Sequence, residues 1–403
     1  MNGSDFSSQF EGRLARPVLA KIPDFARQER LKHVIFAQQF DRDLLDHFSA
    51  TASMIREISR TRPGQDFLTG LLSHKRAMLY FTQPSTRTFL SFMAACQILG
   101  ITCNEIRDPS LSSEYKGESP LDSMRMFSSY FDVIIMRTPQ AKFAESCAYL
   151  MNDLDKMGKR SVPIVNAGSG ADEHPTQALL DIYTLQRTFE FTAKTDTSKA
   201  TRFDQLQRKY PTLSKGLDGK VYGFCGDVGR GRTVRSLTTL LALWKNVSMV
   251  FIYPDYPKLA PYADMLARLE DAGIAISHAH SLDQVAAQLD MLYMTRIQHE
   301  HDTPEDRAFF ETFDKSKFTL TPEILATMRD YCPILHPFPR NEEIPFEIDS
   351  DNRAMYFRQA RNGMWIRAAL LAHIFDVDGK IGSYYLRNYA SAPTSSATAV
   401  PPR

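Results

Sequence analysis

Short apolar runs rich in β-branched and aromatic residues alternate with helical patterns along most of this chain, at 77–81, 133–136, 163–166, 221–225, 248–253, 274–277, 291–295 and 334–337. Helical periodicity follows at about 88–99, 176–188, 233–244, 262–272, 282–289 and 363–375. Runs this continuous are apolar on both faces, which suits strands of a parallel sheet covered by crossover helices. The expected fold class is α/β, with two doubly wound parallel-sheet domains. With 403 residues the chain is long enough for two cores, since a single core stops growing at roughly 250–300 residues.

The polar segment 190–219, with Pro211 in it, breaks the rhythm and marks the expected domain boundary. The division expected is an N-terminal arm over 1–45, a first domain over 46–189, a linker over 190–219 and a second domain over 220–361. Helix 362–376 is expected to pack back on the first domain. A tail over 380–403 ends in the Ser/Thr/Ala/Pro-rich stretch from Ala390, which reads as disordered. Within the arm a helix is expected near 25–40.

Lys and Arg total 48 against 47 Asp and Glu. A net charge of +1 gives no reason to expect nucleic acid or an anionic membrane as partner. No apolar stretch approaches the ~20 residues of a membrane span, and the polar first residues lack a signal peptide's apolar run. The expectation is a cytoplasmic protein. Cys96, Cys103, Cys147, Cys225 and Cys332 are scattered without a C-x-x-C pair, which argues against zinc and for reduced thiols. Anion chemistry must then come from clustered arginines.

Such clusters stand at the C-terminal ends of the expected strands, where ligands bind in open α/β sheets. Pro84-Ser85-Thr86-Arg87-Thr88 links a strand to a helix. A turn of this kind aims backbone N–H groups, a helix dipole and one guanidinium at a point, which favours phosphate. The plainer reading is that Ser85 or Thr86 is an N-cap. Arg137 ends another strand, and His174-Pro175-Thr176-Gln177 opens a helix after a Gly/Ser loop. Arg232 starts the helix after Gly226-Asp227-Val228-Gly229-Arg230-Gly231. Thr295-Arg296-Ile297-Gln298 and His336-Pro337-Phe338-Pro339-Arg340 end two further strands. One strand-end arginine is usually a surface or capping group; this many together point to an anion site.

In these segments the chain resembles the aspartate carbamoyltransferases, in collinear order over roughly 71–376. Pro84-Ser85-Thr86-Arg87-Thr88 is similar to the carbamoyl-phosphate signature of all carbamoyltransferases, and His174-Pro175-Thr176-Gln177-Ala178-Leu179-Leu180-Asp181 to the second signature. Tyr293-Met294-Thr295-Arg296-Ile297-Gln298 resembles the aspartate-reading loop that the ornithine branch lacks, and Pro337 stands where ornithine enzymes carry Cys. The resemblance implies an active site in the cleft between a carbamoyl-phosphate domain and an aspartate domain, and it implies neither cofactor nor metal. Ser85, Thr86, Arg87 and Thr88 would hold the phosphate. Thr88, Arg137 and His174 would surround the carbamoyl oxygen, with Gln177 and the carbonyls of Pro337 and Phe338 on the NH2 group. Arg232, Arg296 and Gln298 would bind aspartate. Ser112 and Lys116 resemble a loop lent to the neighbouring subunit's site, Lys116 reaching aspartate there, so a homotrimer is implied. Whether such a trimer joins dihydroorotase or a regulatory chain is left open.

Rival readings are weaker. The glycines of 223–231 imitate a dinucleotide turn, but their spacing does not fit G-x-G-x-x-G. His278, His280, His299 and His301 look like a metal cluster, yet they lack a Cys or carboxylate at ligand spacing. Cys225 and Cys332 read as packing. The alternative to an active enzyme is an inactive or altered-specificity relative acting as an interaction subunit. Its support lies in departures from the family pattern: Gln83 for Glu, Phe338 for Leu, and His301 for an Arg.

Overall fold

The computed structural model describes residues 9–108, 118–170, 173–191, 202–297 and 303–389. Strands β1 (Arg76–Phe81), β2 (Thr102–Ile106), β3 (Val133–Arg137) and β4 (Ile164–Asn166) form a parallel sheet in the order β2-β1-β3-β4. Strands β5 (Val221–Cys225), β6 (Ser248–Ile252), β7 (Ala275–Ala279), β8 (Met291–Met294) and β9 (Ile334–Leu335) form a second, in the order β9-β8-β5-β6-β7. Each order reverses once, between β1 and β3 and between β5 and β8. Loops leaving the strand ends part there in opposite directions and open a crevice. Phe81 is in register with Arg137 and Met294 with Cys225, so both crevices open at matched strand ends.

The inner strands of each sheet bury both faces by strict alternation. Ala77, Leu79, Phe81, Val133 and Ile135 join one core, while Met78, Tyr80, Ile134 and Met136 join another on the opposite face. The second sheet repeats this: Tyr222, Phe224, Met249, Phe251, Met291 and Tyr293 belong to the core that the two domains share. Val250, Ile252, Leu292 and Met294 face a separate one. The shared core takes in residues of both sheets and of the helices laid over them, so the two domains meet through packed side chains.

Apart from two single-turn helices in the arm, Glu11–Leu14 and Val18–Lys21, the helices among the described residues are α1 (Arg42–Ile58), α2 (Arg62–Leu71), α3 (Thr86–Ile98), α4 (Pro120–Tyr130), α5 (Phe143–Lys156), α6 (Pro175–Phe189), α7 (Arg202–Lys209), α8 (Arg232–Leu241), α9 (Ala263–Asp271), α10 (Pro304–Thr312), α11 (Pro322–Thr327), α12 (Tyr356–Ile374) and α13 (Asp378–Asn388). Helix α6 starts with Pro175 at its first position, where the missing N–H is not needed. It is buried from Pro175 through Leu185 because it lies between the domains. Helix α12 follows the second sheet in sequence but packs on α1, α3 and α6.

Three expectations need correction. The stretch 25–40 holds no α-helix: it has short 3-10 turns at Ile22–Phe25 and Ala37–Gln39 and a small antiparallel ladder, Ala26–Arg27 with Arg30–Leu31. The reason is tertiary. Val34 bridges Val165 at the open edge of β4, its N–H donating to Ile164 O at 2.8 Å and its carbonyl accepting from Asn166 N–H at 2.8 Å. The expected helix at 282–289 is a single 3-10 turn, Ala286–Gln288. The tail from 380 is not a tail at its start, because 380–388 lies in α13. There Tyr384 stacks on Phe67 of α2 with centroids 3.9 Å apart, and Asp378 accepts from Arg30 at 2.8 Å and from His47 at 2.8 Å. The residues from Ala390 lie outside the described ones.

Candidate active site

Strand β1 runs into the turn Thr82-Gln83-Pro84-Ser85 and then into α3. The Gln83 N–H donates to the Arg137 carbonyl at 3.2 Å, which ties the ends of β1 and β3 together. Ser85 occupies the N-cap position of α3, yet its side chain makes no capping bond. The plain N-cap role is thus not taken, and the N-terminus of α3 keeps its affinity for an anion. Ser85, Arg87 and Thr88 line a cleft of about 920 Å³ between the two sheets. Thr86 sits on the same first turn but is exposed and does not line it.

Arg137, at the end of β3, reaches the cleft beside His174. Its Nη1 lies 3.4 Å from the Ala167 carbonyl and 3.5 Å from His174 Nε2. Burial, and then the charges of Arg232, Arg367 and Arg87, pull the Arg137 pKa down to about 9. The same two causes, burial and then the nearby arginines, hold His174 well below the ordinary imidazole range, so it is neutral at pH 7. The His174 ring fits because its neighbour is a glycine. Gly168 has φ +98°, and a Cβ there would stand 2.6 Å from the imidazole. From the second domain, Ser236 Oγ accepts the His174 backbone N–H at 3.2 Å.

Gln177, one turn into α6, donates through Nε2 to Asp181 Oδ1 at 3.0 Å. The same oxygen accepts from Gln359 Nε2 at 2.6 Å, and Oδ2 accepts from Tyr293 OH at 3.0 Å. The Gln359 Oε1 in turn accepts the His336 N–H at 2.8 Å. Asp181 is therefore a hub joining α6, β8, α12 and the loop after β9. Burial pushes its carboxyl up to about 7, against the pull of those three donors.

The second sheet supplies the far wall. At the close of β5, Gly226 has φ +109°, and a Cβ there would strike the Thr295 carbonyl at 2.1 Å; only glycine lets the ends of β5 and β8 approach this closely. Arg232, first residue of α8, donates to the Gly170 carbonyl and so spans the domains. Arg296 and Thr295 line the cleft just beyond β8, and Pro337 and Phe338 line it after β9. Ser112, Lys116 and Gln298, like His299 and His301, lie outside the described residues. His278 and His280 are exposed and bonded to Tyr253 at 3.2 and 3.0 Å, well apart from the cleft lining. Away from the cleft, His47, His373 and Asp378 stand together, but Arg30 donates to both Asp378 oxygens.

Among the described residues, seven arginines and no carboxylate line the cleft. Its walls suit a ligand or pair of ligands carrying several negative charges. The sequence reading missed Arg367, Gln359, Arg230 and Arg235, and it gave Asp181 and Tyr293 no role of their own. Arg367 is 2% exposed, bonds Ser91 Oγ at 2.6 Å and lies over the Phe92 ring at 4.8 Å. Its only sequence signal is a lone cation in the apolar run Ile366-Arg367-Ala368-Ala369-Leu370.

Residues 32–187 match the aspartate/ornithine carbamoyltransferase carbamoyl-P binding domain, and residues 218–374 the aspartate/ornithine carbamoyltransferase Asp/Orn binding domain. The chain is 37% identical over 350 residues to aspartate carbamoyltransferase 2, chloroplastic, of Pisum sativum, covering 85% of this chain and 78% of that one. It superposes on the catalytic subunit of M. jannaschii aspartate transcarbamoylase with a TM-score of 0.69 at 31% identity, over 87% of this chain and 100% of the other. The Trypanosoma cruzi aspartate transcarbamoylase in complex with carbamoyl phosphate and aspartate gives a TM-score of 0.70 at 32% identity, over 84% and 95%. With both domains matched in order and the cleft formed between them, the chain belongs to the aspartate/ornithine carbamoyltransferase family.

Proposed function

We propose that this chain is an enzyme that transfers the carbamoyl group of carbamoyl phosphate to the amine of L-aspartate, giving N-carbamoyl-L-aspartate and phosphate for pyrimidine biosynthesis. The observation that carries this reading is the arginine-lined cleft, with Arg87, Arg137, Arg232 and Arg296 converging from the switch points of two sheets. The complex of a Trypanosoma cruzi relative with both substrates supports it.

In this reading the N–H groups of Ser85, Thr86, Arg87 and Thr88, with the Arg87 side chain, hold the phosphate. Arg137, Thr88 and neutral His174 donate to the carbamoyl oxygen. Because Asp181 ties the Gln177 Nε2, the Oε1 atom is left to accept from the carbamoyl NH2, beside the carbonyls of Pro337 and Phe338. The aspartate amine attacks the carbamoyl carbon, negative charge builds on the carbonyl oxygen, and the C–O bond to phosphate breaks. Phosphate departs with the amine's proton. The protein supplies placement and preorganised positive charge. Arg232, Arg296 and Gln298 take the two carboxylates of aspartate, and two cationic forks disfavour the ammonium of ornithine.

The proposed assembly is a homotrimer in which Ser112 and Lys116 complete a neighbour's site. Met126 and Tyr130, exposed on the helix that follows this segment, offer apolar surface for such a contact. The segment 190–219 is proposed as the divide between the domains. The compartment we favour is the cytoplasm; among the described residues no helix is long and apolar enough to cross a membrane. A test uses N-(phosphonacetyl)-L-aspartic acid, which a Trypanosoma cruzi relative binds. It should raise the melting temperature, and Arg296→Ala should remove most of the rise. No shift with the unmodified protein contradicts the proposal.

A further inference from the structure

Phe338 enters the reading above only through its backbone carbonyl. Its ring lies on the second-domain side of the cleft, whereas Arg87 belongs to α3 of the first domain. The Arg87 guanidinium carbon nevertheless sits 5.2 Å from the Phe338 ring centroid. Among the described residues Arg87 forms no ion pair, so the ring is what meets it across the cleft.

The ring is itself held from behind. Tyr356 meets it edge-on at 5.8 Å and 90°, and Phe357 lies 5.5 Å away. The Phe338 N–H donates to His336 Nδ1 at 2.8 Å, and His336 Nε2 lies 2.9 Å from Glu343. Arg340 rests over the Tyr356 and Phe357 rings at 5.2 and 5.5 Å and pairs with Asp349. These contacts fix the place of the ring.

We propose that Phe338 is a positioning residue for phosphate recognition: its ring holds the Arg87 guanidinium across the cleft and aims it at the phosphate end of the site. The chemistry favours a ring over a carboxylate in this place. A carboxylate would occupy the N–H donors that phosphate needs, while a ring face attracts the cation and leaves those donors free. This inference deepens the carbamoyl phosphate reading and rests on its assignment of Arg87 to the phosphate.

The experiment is calorimetric titration of inorganic phosphate into the full-length protein and its Phe338→Leu, Phe338→Tyr, Arg87→Gln and double Phe338→Leu/Arg87→Gln variants, each first checked by thermal melting. Phe338→Leu should raise the phosphate Kd about three- to tenfold, the range open to a part-desolvated cation–π pair. Phe338→Tyr should stay within about twofold of the unmodified protein, because the ring is kept. In the Arg87→Gln background, Phe338→Leu should add no further loss, since the two residues act as one unit. An unchanged Kd in Phe338→Leu, an equal loss with and without Arg87, failure of Tyr to restore binding, or no phosphate binding by the unmodified protein each overturns the proposal. Carbamoyl transfer is assayed separately. Coupling between the two residues in a protein that carbamoylates nothing would sink the functional reading and leave this one standing.

Discussion

In the proposed reaction His174 would work as a neutral donor, since burial and the arginines around it keep a proton off the ring. A donor to the carbamoyl oxygen gains strength as charge develops, so His174→Ala should lower kcat by about 10²–10³ while KM moves far less. The pH profile of kcat should show no inflection near the ordinary imidazole value of about 6.5 that depends on His174; an acid limb there that vanishes in His174→Ala would contradict this. The sign follows from the shift: a histidine held below its unfolded pKa costs stability only as pH falls through about 6.5, where the unfolded chain takes up the proton first. Arg296→Ala should raise the KM for aspartate about 10–100-fold, the loss of charge-assisted hydrogen bonds, with carbamoyl phosphate affinity nearly kept. Loss of carbamoyl phosphate binding instead would mean the two substrates are not divided between the domains. Arg137, His174 and Arg296 were legible in the sequence because each closes an apolar strand or opens a helix within a recognisable motif. Arg367 was not, because one arginine in an apolar helix reads as a solvated face until tertiary packing supplies Ser91 and Phe92.

At the scale of elements, the hub at Asp181 joins α6 and α12 to the second sheet, and it titrates within reach of experiment. Its carboxyl stands at about 7 in the fold and at about 4 in an unfolded chain. A carboxyl raised in this way contributes stability that is full below about pH 4 and is lost as pH rises through about 7. Asp181→Asn should therefore flatten the fall in melting temperature between pH 5 and pH 8; an unchanged slope would show that another group governs it. A second element-scale test concerns the arm. Lys21 and Glu145 pair at 2.7 Å with both side chains 4% exposed, anchoring the arm to α5. Glu145→Ala strands a buried ammonium and should destabilise by about 3 kcal/mol in denaturant melts. Loss below about 0.5 kcal/mol, the usual effect at a surface site, would mean the arm is not anchored there. Elements were legible where the apolar run was continuous, as in β1, β3, β5 and β8. Strand β2 escaped notice because Thr102-Cys103-Asn104-Glu105-Ile106 is a half-polar edge strand, paired on one side only. The stretch 25–40 misled because pairing at the open edge of β4 overrode a helical pattern.

For the whole molecule, the proposed trimer makes a sharp claim about shared sites. A Lys116→Ala chain and an Arg87→Ala chain, each inactive alone, should recover part of the activity after subunit exchange, because some mixed trimers hold one intact site. No recovery after verified exchange, or sedimentation as a monomer, would count against shared sites. The two-domain plan was legible at this scale from the alternation of strands and helices; how the domains meet was not, since α6 and Asp181 acquire their cross-domain partners only in the folded chain. The central claim is the reaction itself. Its most direct measurement is phosphate release and product identification with carbamoyl phosphate plus either L-aspartate or L-ornithine. N-carbamoyl-L-aspartate and stoichiometric phosphate should form with aspartate alone; carbamoylation of ornithine without aspartate turnover would rule the proposed reaction out.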